Sequence, residues 1–209
     1  MNVVLLHAWP LDEGMWDPLL PAVREAGLEP VAPRLYGRGG SIDGWAAQIL
    51  GEVEGPIVAV GASMGGYTAL ALARRAPERV LGIVLAGSRA DADSSERQAS
   101  RDEQIARLRS EGVPGDLDTD VPAEELAVAQ EAIRDRADAF GVVGAFGGPL
   151  LVCVGDADEI VSVEEARAIA DAALRGSLEI FSGAGHLLTV EQPERVRAVL
   201  TEFLAQWRP

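Results

Sequence analysis

Short, mostly apolar runs alternate along this chain with longer stretches in which apolar residues recur every three or four positions. The short runs are Asn2 to Leu6, Leu28 to Ala32, Pro56 to Val60, Val80 to Ala86, Pro149 to Val154 and Leu178 to Phe181. Each reads as a strand, and the β-branched and leucine character of Asn2 to Leu6 fits one buried on both faces. The periodic stretches predict helices over Trp16 to Ala26, Ile42 to Val53, Tyr67 to Ala76, Val163 to Ala173 and Pro193 to Trp207. Strand and helix in alternation give a mainly parallel, six-stranded sheet with helices on both faces. Between the fourth and fifth runs the pattern weakens. Arg89 to Gly112 is polar, with Ile105 and Leu108 the main apolar positions of a surface helix, and Val113 to Asp120 is acidic and turn-rich. Leu126, Ala129, Ile133, Ala137 and Phe140 then fall at helical spacing over Pro122 to Ala139. This segment, about residues 89–148, reads as a small cap inserted into a single domain spanning residues 1–209.

The stretch Gly61-Ala62-Ser63-Met64-Gly65 changes the picture from architecture to chemistry. It joins a strand to a helix through a very tight turn, with Gly-x-Ser-x-Gly at the bend. Gly61 and Gly65 leave room for the chain to fold back, and the turn lifts the serine hydroxyl above the sheet. The Met64 N–H, at the start of the following helix, then faces any oxyanion that forms there. Serine is a weak nucleophile until a base removes its proton, and the base needs an acid to hold one tautomer. The chain has 2 histidines. His186, in the small-residue loop Ser182-Gly183-Ala184-Gly185 after the last strand, is the candidate base. Asp158 and Asp156, at the end of the Pro149 to Val154 strand, compete as the acid, with Glu159 behind them. The order serine, acid, histidine suits such a site. An Asp pair invites a metal, but no histidine or further acid lies nearby at ligand spacing, so neither metal nor cofactor is expected.

Five stretches together resemble the α/β-hydrolase superfamily, in particular its small esterase-like members with a short cap: His7-Ala8-Trp9-Pro10, Pro33-Arg34-Leu35-Tyr36-Gly37-Arg38-Gly39, Gly61 to Gly66, Gly155-Asp156-Ala157-Asp158 and Gly183-Ala184-Gly185-His186. The resemblance implies a serine hydrolase of carboxylic esters with small to medium acyl groups. It favours Asp158 over Asp156 as the acid and assigns the oxyanion donors to the backbone N–H groups of Trp9 and Met64. It gives His7 the shaping of its loop and no role as a base. It also implies that the family's first antiparallel hairpin is absent. The loop reads His-Ala where the family usually has His-Gly. The acyl pocket is expected among His7, Trp9, Leu187 and the apolar cap residues Phe140, Val143 and Phe146. The same triad would also serve a lactonase, a C–C bond hydrolase or a cofactor-free perhydrolase, and a binding protein on the same scaffold is a third possibility.

Composition narrows the partners. With 33 acidic against 18 basic residues the formal charge is -15, and every basic residue is arginine. Such a chain is repelled by nucleic acid and by anionic membrane, which leaves a small-molecule ester as the expected partner of a monomer or homodimer. The single cysteine, Cys153, lies in an apolar run and reads as a buried small residue. The first apolar run reads as a core strand without a basic segment or cleavage site before it, so a cytoplasmic protein is expected.

Overall fold

The structure is a computed structural model that describes residues 1–208. Its six strands are β1 (Asn2–Leu6), β2 (Glu29–Val31), β3 (Ile57–Ala62), β4 (Val80–Ala86), β5 (Leu150–Gly155) and β6 (Gly176–Phe181). All pair in parallel, in the order β2-β1-β3-β4-β5-β6. Successive side chains of a strand point to opposite faces, and both faces here are covered. Val4, Leu6, Ile57, Ala59, Ile83, Leu85, Val152 and Val154 pack on one side. Val3, Leu5, Val58, Val60, Val84, Ala86, Leu151 and Cys153 pack on the other. This is why the inner strands β1, β3, β4 and β5 read as apolar runs, whereas the edge strands β2 and β6 are partly exposed and carry Glu29 and Glu179.

Helices α2 (Ile42–Glu52), α3 (Met64–Arg75) and α7 (Val163–Ala172) lie on the first face. Helices α1 (Leu20–Glu25), α8 (Leu188–Glu191) and α9 (Pro193–Leu204) contribute to the second. Between β4 and β5 run α4 (Ser95–Glu111), α5 (Ala123–Arg134) and α6 (Phe140–Ala145), with α4 and α5 packed on each other. Among the described residues no helix is long and apolar enough to cross a membrane.

Three helices depart from the spacing. The helix expected over Trp16 to Ala26 begins at Leu20, after a 3-10 turn over Glu13–Trp16. Pro18 and Pro21 cannot donate backbone hydrogen bonds inside a helix, so only the part with Pro21 in its first turn is helical. The helix expected over Pro122 to Ala139 stops at Arg134, and Phe140 opens α6 instead of extending the α5 face. Tertiary contacts end it. Arg136 turns inward, donating to the Ile133 carbonyl at 2.9 Å and to Asp93 Oδ1 at 2.7 Å. Ala139 N–H donates to the Ala90 carbonyl at 2.7 Å, which ties this segment to the β4–α4 loop. The last helix gives way after Leu204 to a 3-10 turn over Ala205–Trp207.

The order of the sheet fixes where a site can form. After β1 the chain steps outward to β2, then returns past β1 to β3 and continues the other way. The loops leaving β1 and β3 therefore diverge, opening a crevice at the carboxyl ends of these strands. The loop with His7 to Pro10 leaves β1, and Ser63 follows β3 directly.

Candidate active site

Ser63 has φ 46° and ψ −110°, the one non-glycine residue with positive φ among those described. A non-glycine residue in this region costs of order 1–3 kcal/mol and persists only where its surroundings hold it. Here Ser63 N–H donates to the Ala86 carbonyl at 2.8 Å, while its own carbonyl accepts from Gly66 N–H at 2.9 Å and from Ser88 Oγ at 3.1 Å. The turn closes only because two neighbours lack side chains. A Cβ on Gly61 would collide with the Gly65 carbonyl, and one on Gly65 would collide with the Leu6 carbonyl of β1. Strand β1, the turn and α3 thus pack backbone against backbone.

The serine hydroxyl meets a histidine. His186 Nε2 lies 2.9 Å from Ser63 Oγ, and His186 Nδ1 lies 2.9 Å and 3.1 Å from the two carboxylate oxygens of Asp158. The Asp158 side chain is fully buried. Burial alone would raise its pKa, but the hydrogen bond from His186 and those from the Val161 and Ile160 N–H groups outweigh it, holding the carboxyl below its ordinary value. Asp158 is therefore a carboxylate, and it fixes the proton of His186 on Nδ1, leaving Nε2 free to accept from serine. Asp156 does other work. Its oxygens accept from Ser182 Oγ at 3.0 Å and from Gly183 N–H at 2.6 Å, pinning the turn that precedes the histidine. Glu191, which the sequence reading did not single out, holds the other side of that loop. It accepts from Gly185 N–H at 2.6 Å and from Leu187 N–H at 3.0 Å.

Among the described residues neither Trp9 N–H nor Met64 N–H has a protein acceptor. Each follows the carboxyl end of one of the two diverging strands, and Met64 is the first residue of α3. The Trp9 indole reaches across to donate to the Leu126 carbonyl of α5 at 3.3 Å. His7 lies beneath. It is fully buried, accepts from Leu35 N–H through Nε2 at 2.9 Å, and has Nδ1 3.1 Å from the Ala8 carbonyl. Burial is the main cause of its lowered pKa, so it stays neutral and pins the β1 loop to the loop after β2.

A cavity of about 330 Å3 opens over Ser63 and His186. Trp9 and Leu187 line it as expected, but the cap residues expected there do not. Val143 and Phe146 are buried in the main core, and Phe140 lines a separate cavity beside Arg89 and Glu165. His7 does not reach the cavity either. The cavity lining also includes Tyr67 on α3, Arg101 and Gln104 on α4, Gln130 and Ile133 on α5, and Ile160. Helical spacing was the available signal: Tyr67 stands one turn after Ser63, and each pair on α4 and α5 is three residues apart. Nothing in the sequence said which helix faces would turn toward the serine. Cys153 plays no part. It is buried in β5, which raises its thiol pKa to about 12 and keeps it protonated.

Residues 3–199 match the profile of the alpha/beta hydrolase family. Over 93 residues the chain is 39% identical to a pimeloyl-(acyl-carrier protein) methyl ester esterase from Aromatoleum aromaticum, a match covering 42% of this chain and 37% of that protein. Over 175 residues it is 29% identical to a 2-hydroxymuconate semialdehyde hydrolase from Pseudomonas sp., covering 70% of this chain and 61% of that one. The chain thus spans less than two thirds of the length of these curated relatives. A solved structure of a thermophilic esterase from Thermogutta terrifontis superposes with a TM-score of 0.90 at 29% identity, covering 100% of this chain and 91% of that chain.

Proposed function

This chain belongs to the alpha/beta hydrolase family, and from that premise we propose that it is a serine esterase of carboxylic esters with small to medium acyl groups. The hydrogen-bonded line from Ser63 through His186 to Asp158 carries this assignment. As Ser63 Oγ attacks the ester carbonyl, its proton passes to His186 Nε2, and Asp158 stabilises the imidazolium. The tetrahedral oxyanion accepts hydrogen bonds from the Trp9 and Met64 N–H groups, in a cap-covered cleft where such bonds are stronger than in water. His186 then protonates the departing alkoxide, leaving an ester between Ser63 and the acyl group. Water, deprotonated by His186, attacks that ester and releases the acid, and the proton returns to Ser63.

A cavity of about 330 Å3 is at the small end of the range for small-molecule sites, which supports compact acyl groups. In this reading the segment between β4 and β5 is a cap within a single domain. A second reading, hydrolysis of a C–C bond on the same triad, is favoured by the 70% of the chain that aligns with the 2-hydroxymuconate semialdehyde hydrolase.

The test is turnover of p-nitrophenyl esters from acetate to octanoate by wild type and Ser63→Ala. Loss of the hydroxyl should lower kcat by roughly a millionfold, to background. Ester turnover that survives in Ser63→Ala would exclude the serine mechanism. Inactivity of wild type toward every ester, with hydrolysis of 2-hydroxymuconate semialdehyde, would favour the C–C reading.

A further inference from the structure

The lining of the cavity over the serine carries a charge that esterolysis does not use. Among the described residues, Arg101 is the one side chain with a permanent charge lining the cavity, and it comes from α4. Its Nε donates to Asp93 and its Nη1 donates to Gln130 Oε1 at 2.6 Å. Asp93 is fully buried at its side chain and is shared with a second guanidinium, since Arg136 Nη1 donates to its other oxygen at 2.7 Å. One carboxylate therefore serves two arginines, and a positive charge is left over beside the cavity. Arg136 is buried and its guanidinium lies over the Tyr67 ring at 4.2 Å, so it cannot take up an anion itself. The excess is expressed at Arg101.

The remaining hydrogen-bonding groups have the same polarity. Arg101 Nη2 has no protein acceptor among the described residues and is not sealed from solvent. Because Gln130 Oε1 is taken by Arg101, the Gln130 amide presents its N–H2 group as a donor. Gln130 is 2% exposed, so a donor in that position is well desolvated. Gln104, one turn along α4 from Arg101, adds an amide that has no protein partner among the described residues. A guanidinium edge beside carboxamide donors in a partly enclosed cavity matches a carboxylate. The neighbouring cavity, which shares Trp9 and Gln104, is lined by Glu103 and Asp116 as well as Arg107 and offers no such excess.

We infer that the site is built for esters whose far end carries a carboxylate, bound by Arg101 and Gln130 while the ester carbonyl lies at Ser63. This inference rests on the serine-esterase reading for its substrate, but the anion subsite can be read without turnover. The first measurement compares kcat/KM for mono-p-nitrophenyl adipate and suberate with that for p-nitrophenyl hexanoate and octanoate. Charge-assisted hydrogen bonds of this kind should give the carboxylated esters an advantage of roughly ten- to a hundredfold. Arg101→Met should bring that ratio toward one. Asp93 keeps Arg136 in this variant, so its charge stays paired.

The second measurement is calorimetric binding of free adipate and hexanoate to Ser63→Ala, which should favour the diacid by a similar factor and lose that preference at high salt. The monoacid controls for a carboxylate drawn to His186 alone. Equal affinities for diacid and monoacid, or an ester ratio unchanged in Arg101→Met, would overturn the inference. If Arg101→Met does not fold, the diacid-to-monoacid affinity ratio decides by itself. Failure of the esterase reading would appear separately, as absence of turnover of all four esters.

Discussion

Replacing Asp158 by Asn tests the site at one proton. In the native protein Asp158 Oδ1 accepts from Ile160 N–H at 2.8 Å and from Val161 N–H at 3.0 Å. These two donors do not change in the variant, so they select the Asn oxygen and turn its N–H2 group toward the position of Oδ2. That position is 2.9 Å from His186 Nδ1. Two donors cannot face each other there, and the oxygen at Oδ1, 3.1 Å from Nδ1, is already taken by two N–H donors, so the balance moves to Nδ1 as acceptor with the imidazole proton on Nε2. The Nε2–H then points at Ser63 Oγ over 2.9 Å and cannot receive its proton. The variant also loses the buried negative charge that stabilises the imidazolium.

A histidine held in the wrong tautomer lowers kcat by roughly ten-thousandfold in serine hydrolases, about 5.4 kcal/mol at 1.36 kcal/mol per decade. Stability should change little, because both backbone donors keep their acceptor. The assay is kcat on the best p-nitrophenyl ester for wild type, Asp158→Asn and Asp156→Asn, with nitrogen NMR of the imidazole reporting the tautomer. Asp156→Asn should stay within about tenfold of wild type, since the Asp156 side chain hydrogen-bonds to Ser182 and Gly183 of the loop and not to the imidazole. Retention of more than a tenth of kcat in Asp158→Asn, or an equal collapse in Asp156→Asn, would refute the assignment of the acid.

Two further outcomes follow from burial and close packing. His7 has a folded pKa below its ordinary 6.5, so below that pH the unfolded chain binds a proton that the folded chain does not. Stability should then rise with pH through this window, by up to about 1.4 kcal/mol per pH unit. Melting of wild type should fall more steeply from pH 7.5 to pH 5.5 than that of His7→Gln, and parallel curves would contradict the assigned neutral state. Asp158, also lowered in the fold, loses its contribution only as pH drops below about 3.8, outside that window. Gly65→Ala places a Cβ against the Leu6 carbonyl, which should cost about 3 kcal/mol or prevent folding. Denaturant unfolding measures it, and a loss under 0.5 kcal/mol, well below the usual cost of overpacking, would mean the turn is looser than described.

Much of this protein was written in its chain. The six runs became six parallel strands; the four inner ones are buried on both faces and so apolar at either parity, while the edge strands β2 and β6 keep Glu29 and Glu179. The serine turn was legible for the same kind of reason. A backbone bent to φ 46° at Ser63, with strand β1 packed against Gly65, tolerates very few residue types. The choice between Asp156 and Asp158 was not legible from spacing, since the two stand two residues apart at the end of β5. Their roles depend on which of them faces the imidazole, and that is set by the loop that Asp156 itself pins.

Sequence alone thus determined the α/β sheet, the position of the serine and the loop of the histidine, where local backbone geometry and full burial restrict composition strongly. Tertiary structure alone decided the lining of the cavity. Phe140, Val143 and Phe146 looked like pocket residues because they are apolar, yet they pack into the core or a separate cavity. Arg101 and Gln104 belong to a stretch read as a polar surface helix, and Gln130 was not singled out, yet all three line the cavity over the serine. A helix face carries no label for what it meets. The meeting was set by the inward turn of Arg136, the charge it shares with Arg101 on Asp93, and the tie from Ala139 to Ala90, all contacts between residues far apart in the chain.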